Sequence, residues 1–171
     1  MQWFNNVLSE DEANYVISQT LCNNKWNFSG YSTTNDSGYT FWNMNLIEDA
    51  FFTETFLKKI EELTDKKFEI ERVYANGQTY GLPGNIHSDI DEDTYASELY
   101  YTFVYYVNPL WDLNWGGQTI IINEDGTVDS VLFNPNAAII FPSILKHFGS
   151  EPTRQCKDLR VTVAFKLKEI V

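Results

Sequence analysis

His87-Ser88-Asp89, followed well downstream by His147, are the residues whose types and spacing could do chemistry in this chain. An extended H-x-D places the imidazole and the carboxylate on one face, because residues i and i+2 of a strand share a face. A second imidazole brought alongside completes a facial set of two nitrogens and one oxygen. Such a set leaves the other half of an octahedral ion open to exogenous ligands. The chain has only two histidines, and both fall where the set needs them.

Other readings of the same residues stay open at this level. Three unrelated polar residues, with buried imidazoles bonded to backbone, fit the spacing too. A zinc hydrolase uses the same ligand types. Asp89, Asp91 and Asp93 have the D-x-D-x-D start of a calcium loop, but that loop needs Gly at its sixth position and Glu at its twelfth. Those positions are Thr94 and Tyr100, so the calcium reading fails.

A second piece of chemistry lies near the carboxy terminus. Arg160-Val161-Thr162-Val163-Ala164-Phe165 alternates as a strand does, with Arg160 at its entrance. A guanidinium buried there needs an anion, and its planar fork suits a carboxylate in two-point contact. The alternative is a surface arginine paired with Asp158. Arg154 is a rival for the anion, although its place in a loop beside Pro152 argues against it.

The elements that must position these groups follow from pattern. Ser9 and Glu12 form a capping box for a first helix, with Leu8 and Ala13 as the hydrophobic staple. Ala13, Val16, Ile17 and Leu21 make its apolar face. A second helix is predicted from about Asp49 to Leu63, striped by Phe52, Phe56, Ile60 and Leu63. After Lys67 the helical period ends. Segments near 67–75, 98–108, 117–123, 128–133, 137–142 and 159–168 are rich in β-branched and aromatic residues. Asn134-Pro135-Asn136 and Glu124-Asp125-Gly126 supply turns between them. The expectation is a single α+β, mainly β domain spanning 1–171, a double-stranded β-helix or jelly roll over about 67–168. Helices within about 9–64 would buttress it.

Composition limits the partners. With 171 residues, 43% of them hydrophobic, the chain can bury a core without staples. Twelve basic against 24 acidic residues give a net charge of −12, which repels phosphate backbones and argues against nucleic acid. Neutral or basic partners are better tolerated, and their preference should weaken with salt. No apolar run is long enough for a membrane span, and the amino terminus lacks the features of a signal peptide. Cys22 and Cys156 are too few for a disulfide framework. Asn27-Phe28-Ser29 and Asn35-Asp36-Ser37 match glycosylation acceptors, but no secretion signal accompanies them. A reducing, cytoplasmic setting is expected.

Taken together, four pieces resemble the Fe(II)/2-oxoglutarate-dependent dioxygenases, and within them the prolyl-hydroxylase group. They are Tyr74-Ala75-Asn76-Gly77-Gln78-Thr79-Tyr80-Gly81, then His87-Ser88-Asp89, then Tyr105-Tyr106-Val107-Asn108 with Trp111-Asp112 and Gly116-Gly117, and last His147 with Arg160-Val161-Thr162. The likeness runs from about Arg72 to Leu167, and the order of the pieces is more specific than any one of them.

The resemblance implies that His87, Asp89 and His147 are catalytic iron ligands. It implies that Arg160 holds the distal carboxylate of 2-oxoglutarate, aided by Tyr106 and Tyr74. Fe(II), 2-oxoglutarate and O2 would be required, with ascorbate as a candidate reductant, and succinate and CO2 would be released. The expected substrate is proline in a peptide or protein. The same chemistry on a free amino acid or small metabolite is the second reading, and a non-catalytic jelly-roll binding module is the third. The loops 76–86 and 108–117, the latter with Trp111 and Trp115, are expected to flank the site. The chain also departs from the Arg-using branch of the group. Leu99 stands where that branch has Arg, and Lys166 where it has Trp. Those positions face substrate in relatives, so the resemblance carries the cofactor site and not the identity of the modified molecule.

Overall fold

The computed structural model describes residues 1–32, 40–91 and 93–171. The acceptor at Asn35-Asp36-Ser37 lies outside the described residues, while Asn27-Phe28-Ser29 sits on an edge strand. Ten strands, all paired antiparallel, form two sheets. They are β1 (Gln2–Phe4), β2 (Asn27–Gly30), β3 (Phe41–Asn45), β4 (Phe68–Gln78), β5 (Tyr100–Tyr106), β6 (Thr119–Ile122), β7 (Val128–Val131), β8 (Ala138–Pro142), β9 (Lys146–Gly149) and β10 (Arg160–Glu169). The larger sheet runs β1-β8-β5-β10-β4-β3-β2 and the smaller β7-β6-β9. The molecule is mainly β, as expected. Four strands lie outside the predicted segments: β1 to β3, which precede or separate the helices and join the main sheet, and β9, which joins the smaller one.

Helix α1 (Glu10–Gln19) starts where the capping box places it. The Ser9 amide donates to Glu12 Oε2 at 2.7 Å, and the Glu12 amide donates back to Ser9 Oγ at 3.4 Å. Val16 is fully buried, and Ala13, Ile17 and Leu21 pack on the same core. Ser9→Ala is expected to lower stability by about 1 kcal/mol, the usual worth of a cap. A urea or thermal midpoint measures it, and an unshifted midpoint would mean that tertiary packing alone holds this helix.

The second helical segment differs from expectation in one respect. It opens as a π-helical stretch, Phe51–Phe56, and only then tightens into α2 (Leu57–Thr64). The wide turn brings Phe51, Phe52 and Phe56 together, with ring centroids 5.5 to 6.5 Å apart. Three bulky rings in one patch are the physical reason for the looser winding. Phe56 then meets Phe103, Tyr105 and Phe165 edge-on.

The central strand β10 is buried on both faces. Val161, Val163, Phe165 and Leu167 enter the core shared with the helices. Arg160, Thr162, Ala164 and Lys166 turn the other way and line a cavity. Its neighbour β4 divides likewise, with Val73 and Ala75 in the core and Tyr74, Asn76 and Gln78 on the cavity. A smaller core around Val104, Ile121, Phe133, Ile139 and Phe141 closes one end. No helix among the described residues is long and apolar enough to cross a membrane, and both cysteines are free.

Candidate metal centre

His87 and Asp89 are not on a named strand. His87 makes a single bridge to β9, its amide donating to the His147 carbonyl at 3.1 Å and the His147 amide returning at 2.8 Å. Two residues on, the Asp89 amide donates to the Ser143 carbonyl at 3.0 Å. The extended geometry expected of H-x-D is thus imposed by β9 and the turn before it, not by a long strand. One ligand atom from each of His87, Asp89 and His147 lies within 4.8 Å of the others.

The protonation pattern shows what the three groups fit. The Nδ1 of His87 lies 2.9 Å from the Asn85 carbonyl, and the Nδ1 of His147 lies 2.9 Å from the Leu145 carbonyl. A carbonyl can only accept, so each Nδ1 carries a proton and each Nε2 is turned inward. Those nitrogens face Asp89 at 3.4 Å and 3.3 Å. Burial pushes His147 below its ordinary value, against the pull of Asp89. Burial alone would raise the Asp89 carboxyl, but Lys166, backed by the facing imidazoles, holds it well below the usual carboxylate range. Two inward-turned imidazole nitrogens and an ionised carboxylate therefore converge. A divalent cation is what such a donor set suits, and the backbone carbonyls behind the rings fix both tautomers.

Asp89 is further held by two donors that the sequence motif does not name. Thr102 Oγ1 donates to Asp89 Oδ2 at 2.5 Å, and Thr102 is itself 2.9 Å from Ser143. Lys166 Nζ donates to the same Asp89 oxygen. The side chains of Asp89 and Lys166 are 5% and 6% exposed, so this is a buried pair. Burial works against the ammonium, yet Tyr74 and Asp89 keep the Lys166 pKa above its ordinary value.

Arg160 lies at the far end of the same strand face and is fully buried. Its Nε donates to the Gly117 carbonyl at 2.7 Å, Nη1 to Gln78 Oε1 at 2.8 Å and Nη2 to Thr119 Oγ1 at 3.3 Å. All three partners are neutral. Burial lowers the guanidinium pKa to about 10. The reading of Arg160 as a surface residue paired with Asp158 is thereby overturned. Arg154 is exposed and lies over the Tyr80 ring at 5.0 Å. Tyr106 joins the Arg160 end by donating to Thr119 Oγ1 at 3.0 Å, and burial raises its phenol to about 12. Tyr74 stands at the other end, its ring 5.8 Å from Lys166 Nζ.

Gly117 explains why the Gly116-Gly117 pair matters. Its φ is +72°, and an added Cβ would come 3.0 Å from Arg160 Cδ and 3.1 Å from Nε. Gly117→Ala should displace the guanidinium from its partners and lower stability by about 1 kcal/mol, the worth of one good hydrogen bond. A denaturation midpoint checks this, and an unshifted midpoint would mean that Arg160 has room to yield.

Arg160 and the imidazoles line a narrow cavity of about 60 Å³, which adjoins a groove of about 410 Å³. Tyr74, Asn76 and His87 line both. The groove wall is Gly30–Ser32, β3 and the middle of β4. Trp111 and Trp115 are not on it; Trp111 stacks on Phe133 with centroids 4.2 Å apart and donates to the Gly116 carbonyl. Of the two roles open to these tryptophans, packing a loop or lining the entrance, they take the first.

No protein-family model and no curated protein sequence matches the chain. Solved structures do. A prolyl hydroxylase from Trichoplax adhaerens, in complex with a hypoxia-inducible-factor oxygen degradation domain peptide, aligns with a TM-score of 0.70 at 16% identity. That alignment covers 98% of this chain and 83% of the other. A Pseudomonas putida prolyl-4-hydroxylase aligns at 0.67 and 14% identity, covering 99% and 92%. The α-ketoglutarate-dependent epimerase SnoN from nogalamycin biosynthesis aligns at 0.67 and 11%, covering 96% and 76%. These neighbours agree with the resemblance read from the four sequence pieces: the chain is built on the fold of the Fe(II)/2-oxoglutarate oxygenases, the prolyl hydroxylases among them.

Proposed function

We propose that this chain is an Fe(II)- and 2-oxoglutarate-dependent dioxygenase. The observation that carries the reading is the convergence of two imidazole nitrogens and one carboxylate, beside a buried arginine whose partners are all neutral. In this reading His87, Asp89 and His147 hold the iron, and Arg160 takes the distal carboxylate of 2-oxoglutarate. Tyr106 steadies that end through Thr119, and Tyr74 borders the co-substrate from the groove side. When bound, iron with 2-oxoglutarate and O2 supplies the oxidation of a carbon–hydrogen bond, with succinate and CO2 released. The chain's own residues orient and shield. The carbonyls of Asn85 and Leu145 keep the rings aimed, Thr102 fixes Asp89, and the two sheets exclude water from Arg160.

Two facing antiparallel sheets with the site between them support the double-stranded β-helix. Residues 1–171 then make one domain, with helical support within about 9–64, a jelly-roll core over about 67–168, and β1 to β3 widening the main sheet. Free Cys22 and Cys156 support a cytoplasmic setting. Proline in a peptide is the substrate that the sequence pieces favour, and the prolyl-hydroxylase neighbours support it. The buried Lys166 ammonium on the site's face supports a small anionic substrate as the second reading.

The test is anaerobic addition of Fe(II) and 2-oxoglutarate, followed by air and product mass. A visible charge-transfer band and succinate formation are expected, with ascorbate prolonging turnover. Proline peptides should gain one oxygen, and their alanine counterparts should not. Free proline alone gaining the oxygen would move the reading to a metabolite. Neither band nor succinate would leave a jelly-roll binding module.

A further inference from the structure

The core residues of β4 are unevenly spaced. Phe68 and Ile70 pack on the core shared with the helices, and so do Val73 and Ala75, so the alternation slips by one residue between the two pairs. The cause is a bulge. Lys166 of β10 pairs with Arg72 and Leu167 with Ile70, which leaves Glu71 without a partner. Two residues of the bulged strand then stand where a regular ladder has one, and their side chains are re-aimed together. Glu71 and Arg72 are both exposed, and both line the groove that reaches His87 and Asp89. An acid and a base thus stand side by side on one wall.

These two charges do not cancel each other. No ion pair joins them, and among the described residues neither pairs with any other charged group. The Arg72 guanidinium lies 6.0 Å from the centre of the Tyr74 ring, a neutral support. Lys166, opposite Arg72 on β10, is paired with Asp89 and borders the narrow cavity instead of the groove. Among the described residues, Asp89 is the one other acid on the groove, and it belongs to the metal set. Asn43, Asn45, Asn76 and Tyr74 make an uncharged remainder. The space of about 410 Å³ is that of a small-molecule site. It has open charges of both signs at the bulge and candidate metal ligands on the same lining.

We propose that Arg72 and Glu71 are specificity-determining residues for a free amino acid, Arg72 receiving its carboxylate and Glu71 its ammonium. The inference rests on the iron and 2-oxoglutarate reading and narrows its substrate class. A free amino acid carries both charges on one carbon, so it can bridge two wall charges that do not meet each other. Its side chain is then left to face the metal ligands. The guanidinium fork suits the carboxylate in two-point contact. The molecule has no net charge, so the chain's −12 does not repel it as it would an anion. A residue inside a peptide has neither main-chain charge, because both groups are spent in amide bonds.

The experiment loads the protein with Zn(II), as an ion that does not turn over, and 2-oxoglutarate, each followed by calorimetry. Saturation-transfer NMR then reads binding of free L-amino acids, their α-amides, their N-acetyl forms and blocked proline peptides. At least one free amino acid should bind about fivefold more tightly than either its amide or its N-acetyl form, the worth of a partly exposed charge pair. Added salt should shrink both differences. Arg72→Gln should erase the preference for acid over amide and keep that for amine over acetyl, and Glu71→Gln should do the reverse. Both variants should retain zinc and 2-oxoglutarate, since both side chains are exposed on the groove wall and neither pairs with Asp89. Equal binding of free and blocked forms, a preference that survives its own variant, tighter binding of the peptides than of every free amino acid, or no binding by any probe overturns the proposal. Failure of zinc or 2-oxoglutarate to bind the unaltered protein shows before any probe is added, and it sinks the underlying reading together with this one.

Discussion

Asp89→Ala is expected to abolish the charge-transfer band and to lower metal affinity by more than ~100-fold, beyond what loss of an outer partner costs. It should also destabilise the protein before any metal is added. Asp89 is the acid that Lys166 touches, and both side chains are nearly inaccessible. Breaking a buried pair from one side costs about 3–5 kcal/mol, because the surviving charge is left alone. The double variant Asp89→Ala with Lys166→Met should recover most of that stability and none of the metal binding. Chemical denaturation separates the two effects. If the single variant melts like the parent, the ion pair contributes nothing, and if its band persists, Asp89 is not a ligand.

Arg160→Ala carries the other large effect. The guanidinium has three neutral partners and is fully buried, so an incoming carboxylate would meet a desolvated cation already aimed by Gly117, Gln78 and Thr119. Truncating one side of such a contact costs about 2–5 kcal/mol. The half-saturating 2-oxoglutarate concentration should therefore rise by roughly 30-fold or more. Arg154→Ala, which removes an exposed group lying over Tyr80, should change it by less than about twofold. The opposite ranking would mean that the co-substrate sits elsewhere. Direct titration under anaerobic conditions measures binding without turnover.

Much of this was legible in residue types. The capping box of α1, the long strands β4, β5 and β10, and the four chemical pieces all declare themselves by local pattern. What escaped has physical reasons. Strands β1, β2 and β9 are three or four residues long, too short to establish a period, and they exist because longer partners offer them backbone groups. His87 was read as part of a strand, but it is held by one bridge whose partner lies far along the chain. The π-helical opening of the second helix depends on how three rings share space, which the apolar stripe does not encode. Gln78 and Thr119 carry polar side chains in strand patterns and gave no separate sign. Lys166 did give one: Arg160, Thr162 and Lys166 share parity, which puts all three polar side chains on one face of β10.

The order of the main sheet divides the labour between its centre and its rim. β10 and β4 stand inside, paired on both sides, and a slip of one residue there would turn Arg160 and Lys166 into the apolar core and Val161 and Phe165 into the site. Nothing at the centre can be lengthened or shortened without disturbing the candidate ligands, Arg160 and the core at once. The groove shares β4 with that centre, and its remaining wall comes from β3 and the segment after β2, toward the sheet's end. Insertions, exchanges and new side chains there leave the inner strands in place. This architecture can thus change what its groove admits by rewriting the margin while the inner ligand face stays as it is.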